Sequence, residues 1–164
     1  MAGRDRRGKE IDMMKNILAS IDLSEITGDV IDKAASLART YKSKLWLIHV
    51  VAPDSFVVPH GEDPLPVRER VAEKIHEEHR QLQEKARELR SNGVNVTSLL
   101  VQGATVQVIL KEAAKVDADL IVLGSHRDSP LYRYLLGSVT EGVLEGIKCP
   151  LLIVPSRKSR YRAA

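Results

Sequence analysis

The 164-residue chain, 43% hydrophobic and 29% charged, has the length and composition of one folded domain rather than a disordered segment. No apolar run approaches the roughly 20 residues of a membrane-spanning helix, the opening "MAGRDRRGKEID" has no apolar stretch behind its charges to make a secretory signal, and a single Cys149 excludes an internal disulfide, which fits a reducing cytoplasm. The net charge of +3 sits in the ends: residues 1–12 carry +1, residues 156–164 carry +4, and the body is −2, which with 4% aromatics argues against a nucleic-acid groove.

Residues 1–13 and 156–164 are therefore expected to be flexible basic tails around a domain at 14–155. Within it, "NILASI" (16–21) reads as a strand that ends on Asp22. Ser24 is placed to cap a helix carrying Val30, Ala34, Leu37, Ala38 and Tyr41 at helical spacing. "KLWLIHVV" (44–51) is a nearly continuous apolar run, as expected of a strand buried on both faces. The loop "APDSFVVPHGEDPLP" (52–66) holds four prolines and a glycine, and a long helix is predicted over 67–91 with Val71, Ile75, Leu82, Ala86 and Leu89 on one stripe, stopped by Gly93.

The second half repeats the rhythm. "VNVTSLLV" (94–101) predicts a strand, and Gly103 opens a helix with Val106, Ile109, Leu110 and Ala113. "DADLIVLG" (117–124) predicts a strand, "GSVTEGVLEGI" (137–147) a helix and "PLLIVP" (150–155) a last strand. Five strands alternating with four helices imply an α/β fold: a doubly wound, open sheet of parallel strands with helices on both faces. Ligands of such sheets sit outside the carboxyl ends of the strands, where the strand order reverses.

Three segments would meet there: the turn after the first strand, the second strand, and the stretch "GSHRDSPLYRYLLGSVTEGV" (124–143). Gly124 lets the chain leave its strand without a Cβ, and Gly137 permits close approach just before a helix. Ser138-Val139-Thr140-Glu141 has the form of a capping box, and a helix start offers N–H groups and a positive dipole end to a phosphate. Arg127 and Arg133 could add charge, and His126 could assist from the same loop. No Gly-x4-Gly-Lys-Ser/Thr run is present, and "DLSE" after the first strand excludes the usual dinucleotide fingerprint. Gly142 and Gly146 are expected to allow close helix–sheet packing. Other candidates have plainer readings: His76 and His79 on a solvated face rather than on a metal, His49 as a hydrogen-bonded core histidine, and Cys149 as packing.

The segments "NILASIDLSE", "KLWLIHVV", "ADLIVLGSHR", "LLGSVTEGVL" and "CPLLIVP", in this order, resemble the universal stress protein family over roughly residues 14–155. The family's most specific element is the loop Gly-x-x-Gly-x9-Gly-Ser/Thr of its ATP- or AMP-binding members. Here it reads Gly124-x-x-Arg127-x9-Gly137-Ser138, with the spacing kept and the middle glycine replaced by arginine. The resemblance implies strand order 3-2-1-4-5 and an adenine nucleotide, ATP or AMP, as cofactor. It places Asp22 toward the ribose or a metal-bound phosphate, with Mg as the suspected ion, and Ser20 and Ile21 along the same wall. Leu45 corresponds to a position whose backbone meets the adenine edge, with Trp46 turned to the opposite sheet face. Leu123, Gly124 and Ser125 would flank ribose and phosphates, and His126, Arg127, Gly137, Ser138, Val139 and Thr140 the phosphate chain.

The last strand, short, apolar and at an edge, suggests a homodimer through residues 150–155, which the resemblance also implies. The expected function is a cytoplasmic, nucleotide-binding stress-response sensor or regulator, at most a slow ATPase because no general base stands near the loop. The alternative is a nucleotide-free interaction module that docks on a transporter or kinase, motivated by Arg127 and the basic C-terminal tail.

Overall fold

The computed structural model describes residues 14–52, 64–125 and 137–155. The two basic tails and the stretch with His126, Arg127 and Arg133 lie outside the described residues. Strands β1 (Asn16–Ile21), β2 (Lys44–Val51), β3 (Val96–Gln102), β4 (Leu120–Ser125) and β5 (Leu151–Pro155) alternate with helices α1 (Thr27–Tyr41), α2 (Pro64–Ser91), α3 (Thr105–Lys115) and α4 (Ser138–Gly146). All strand pairs are parallel, and the sheet order is β3-β2-β1-β4-β5. The expected architecture and order are those observed.

Alternation along the strands divides the core in two. Ile17, Ala19 and Ile21 of β1 and Leu45 and Leu47 of β2 face α1 and α2, where Val30, Ala34, Ala38, Leu82, Ala86 and Leu89 close over them. Leu18, Ile48, Ile121 and Leu123 face the other way, onto Val108, Ile109 and Ala113 of α3 and Val143 of α4. Trp46 packs on this second side, opposite Leu45; its indole N–H donates to Asn16 Oδ1 at 3.1 Å.

The ends of the helices differ from the sequence reading in instructive ways. Helix α2 begins at Pro64, three residues early, because prolines at 64 and 66 fall in its first turn, where no backbone N–H is needed. Ser24 does not cap α1. Its N–H and hydroxyl instead donate to Asp22 Oδ1 at 3.0 and 2.6 Å, and the helix starts three residues later with no side-chain cap. Ser138 is likewise inside α4 rather than its cap: Gly137 holds the cap position at φ 90°, without a side-chain cap hydrogen bond, so the expected capping box does not form. Gly142 and Gly146 do serve close packing, but of helix on helix. A Cβ at either would meet Val106 or Leu110 of α3 at 2.9 and 2.5 Å.

At the far end of α2, Gly93 takes φ 78° and ends the helix as expected. The outward face of α2 is charged, with Arg80 bonded to Glu77 and Glu84. Its hydrogen bond to Glu77, with help from Gln81, holds that carboxyl below the usual carboxylate range. His76 and His79 lie on this exposed side, and among the described residues no group of three or more acidic, histidine or cysteine side chains could hold a metal. No described helix is long and apolar enough to cross a membrane.

Candidate functional site

The central strand β1 has two unequal seams. With β2 it pairs over six positions, Asn16↔Lys44 to Ile21↔His49. With β4 it pairs over only three, ending at Ala19↔Val122, although both strands continue beyond that point. Neighbours that part at their carboxyl ends leave a crevice, and this is where the strand order reverses.

A cleft of about 240 Å³ occupies it. One wall is Ser20, Ile21 and Asp22 at the end of β1; the facing wall is Leu123 and Gly124 of β4. Val50 closes the side toward β2. Three helix starts complete the lining: Thr27 from α1, Thr105 from α3, and Val139 and Thr140 from α4. None of the three helices has a side-chain cap hydrogen bond at its N-terminus. The positive ends of three helix dipoles therefore converge on one crevice, which favours a negatively charged occupant.

The turn after β1 is built around Asp22. Besides Ser24, the Thr27 hydroxyl lies 3.5 Å from the same oxygen, Oδ1. Between them Leu23 adopts φ 61°, in the left-handed region that a leucine rarely occupies. Across the cleft, a Cβ at Gly124 would meet Ile26 at 3.0 Å and Val30 at 3.1 Å. Gly124 thus lies within β4 and lets α1 pack against the strand, rather than releasing the chain from it. Ser125, the last residue of β4, is 2% exposed, and among the described residues its hydroxyl has no hydrogen-bond partner. Ser125 follows the lining residue Gly124 in the chain but does not itself line the cleft.

Of the residues expected at the site, Ser20, Ile21, Asp22, Leu123, Gly124, Val139 and Thr140 are brought together in the lining, with Gly137 and Ser138 at the adjoining helix start and Ser125 beside Gly124. His126 and Arg127 fall outside the described residues. Leu45 is a correction. It is the second residue of β2, fully buried and opposite Ile17, so it sits about 16 Å along the strand from Val50, at the wrong end of the sheet for this cleft. Sequence reasoning missed Ile26, Thr27, Val30, Val50 and Thr105. Val50 was findable: the rule that ligands meet the carboxyl ends of the strands points to the end of "KLWLIHVV", not to its start.

Residues 13–155 match the Universal stress protein family. The chain belongs to that family. A relative in Coxiella burnetii, universal stress protein A homolog 1, is 34% identical over 143 residues, covering 85% of this chain and 95% of the relative. The Methanocaldococcus jannaschii universal stress protein MJ0531 is 29% identical over 147 residues, covering 89% and 85%. Among solved structures, the hypothetical protein MJ0577 superposes with a TM-score of 0.76 at 27% identity, over 88% of this chain and 98% of that one. Two more distant neighbours share the fold. One is a universal stress protein in complex with cAMP (TM-score 0.62, 24% identity, 87% and 98% covered), the other an Archaeoglobus fulgidus universal stress protein in complex with dAMP (0.55, 19%, 85% and 96%).

Proposed function

We propose that this universal stress protein holds an adenine nucleotide, ATP or AMP, in the cleft between β1 and β4 and acts as a cytoplasmic stress-response sensor or regulator. The observation that carries the reading is the convergence of three uncapped helix starts on the one crevice where the strand order reverses. The kept spacing from Gly124 to Gly137-Ser138 and the cAMP and dAMP complexes of the two fold neighbours support it. The donors suit phosphate and ribose: the hydroxyl residues Thr27, Thr105 and Thr140 line the cleft.

Asp22 sets a condition on that occupant. A carboxylate beside phosphates is unfavourable unless a ribose hydroxyl or a cation stands between them. One carboxylate with nucleotide phosphates and water is a common way of holding Mg²⁺, so Asp22 fits that ion as well as a ribose. Among the described lining residues Asp22 is the one acidic group, and its Oδ1 is tied into the turn. Hydrolysis of ATP is accordingly slow at best. Denaturing the purified protein and separating the supernatant by liquid chromatography tests the reading, together with titration of ATP and AMP. Absence of any released or titratable adenine nucleotide would sink it.

The nucleotide-free alternative, docking on a transporter or kinase, rests on Arg127 standing where nucleotide-binding relatives carry glycine. Arg127→Gly separates the two: stronger binding in the variant favours the alternative, weaker binding makes Arg127 a phosphate ligand. We also propose a homodimer through β5, an edge strand whose Leu151, Leu152 and Ile153 are only half-buried in the single chain. A single monomer boundary in sedimentation velocity would exclude it.

A further inference from the structure

His49 does not line the cleft, yet it holds the cleft wall from behind. Its side chain points to the α1/α2 side of the sheet and the residue is 6% exposed. Nδ1 lies 2.9 Å from the Ile21 carbonyl oxygen, and Nε2 lies 3.3 Å from Glu78 Oε2 on α2. A carbonyl oxygen can only accept, so Nδ1 carries a proton and donates it. A carboxylate also only accepts, so a bond at Nε2 requires a second proton, on the ring or on Glu78. The imidazole is therefore bracketed by two acceptors. The other oxygen of Glu78 lies 3.8 Å from Lys74 Nζ.

Lys74, Glu78, His49 and the Ile21 carbonyl thus form a line from the surface of α2 to the last residue of β1. The β1–β2 ladder ends at the pair Ile21↔His49, and the side-chain bond fastens the same peptide once more. Ile21 and the next residue, Asp22, both line the cleft. These contacts give a continuous physical route between this end of β1 and the middle of α2.

We propose that His49 is a positioning residue that couples the cleft wall to α2, so that occupancy of the cleft and the seating of α2 around Glu78 strengthen each other. The coupling rests on the adenine-nucleotide reading of the cleft; the clamp itself does not. Two isosteres separate the arms. His49→Asn places an amide donor where Nδ1 stands and keeps the Ile21 bond. His49→Gln places one where Nε2 stands and keeps the Glu78 bond. The readouts on the full chain are AMP and ATP affinity and amide hydrogen exchange at Ile21–Ser24 and at Lys74–Glu78.

In the wild type, nucleotide is expected to slow exchange in both segments. His49→Asn keeps affinity within about threefold while nucleotide protection no longer reaches Lys74–Glu78, and His49→Gln loses about tenfold in affinity, the scale of one buried hydrogen bond. Glu78→Ala, which leaves the strands untouched, should behave as His49→Asn does and serves if the histidine variants do not fold. Nucleotide binding that leaves α2 exchange unchanged in the wild type overturns the coupling, as do two histidine variants that bind alike. Should the wild type bind no nucleotide, the cleft reading falls. The clamp is then judged without ligand: Glu78→Ala must speed exchange at Ile21–Ser24, and unchanged exchange overturns it.

Discussion

The two seams of β1 do different work with the same backbone geometry. On the β2 side the ladder runs the full length of the strand, and His49 adds a side-chain bond at its last pair. On the β4 side the ladder stops after three pairs and the strands part around a cleft. The closed seam keeps its ladder to the end of β1; the open one gives up ladder pairs where the cleft stands. The split follows from chain order. Successive strands are laid down on one side of β1 and then on the other, so two crossover helices leave in opposite directions and expose the gap between their starting strands.

Four experiments break or sharpen this contrast. On the closed side, Ile48→Ala empties a fully buried site opposite Ser20 and is expected to cost about 2–5 kcal/mol in denaturant unfolding. A cost near zero would mean the closed seam is not the stabilising one. On the open side, Gly124→Val forces a branched side chain against Ile26 and Val30. It should cost about 1–3 kcal/mol by overpacking and close the cleft, read out as loss of nucleotide titration. Ser125→Ala should have the opposite effect on stability. Removing a buried hydroxyl that has no partner among the described residues is expected to leave denaturant stability unchanged or raise it by about 1 kcal/mol, and a clear loss would mean the hydroxyl is bonded.

The smallest effect is at the other end of the sheet. Burial, and then the nearby Asp119 carboxylate, push the Cys149 thiol above its ordinary range, against a smaller opposing effect of a backbone hydrogen bond with Ile121. The folded state thus favours the neutral thiol, and the stability this lends is present below the unfolded thiol's range and is lost as pH rises through the folded value. Alkylation of the native chain should reach its midpoint at a higher pH than alkylation in urea. Equal midpoints would remove Cys149 from consideration as a buried group.

The architecture was legible because alternating apolar runs and helical stripes leave few ways to bury both, and "KLWLIHVV" and "PLLIVP" mark their strands to within a residue. The site was legible where it coincides with strand ends and glycines: Asp22, Gly124 and Gly137. It was illegible where the outcome depends on a competition between nearby partners. Ser24 could cap a helix or brace Asp22, and the shorter path to Asp22 won. Ser138 matched a capping box, but a glycine one residue earlier, able to take φ 90°, moved the helix start. Thr27 and Thr105 became lining residues only through pairing and crossover geometry, which bring together positions far apart in the chain. His49 carried a signal for burial, but its second partner, Glu78, stands 29 residues away on a helix whose rotation no local pattern fixes.

Leu23 carries a consequence for rates. A leucine in the left-handed region costs roughly 1–2 kcal/mol, and the hydrogen bonds of Ser24 to Asp22 brace the turn around it. A turn held by its own hydrogen bonds is a stiff wall, with no loop on this side to be folded over a ligand. Entry past β1 should then show a single association phase, linear in ligand concentration, and any slower second phase has to originate elsewhere in the rim.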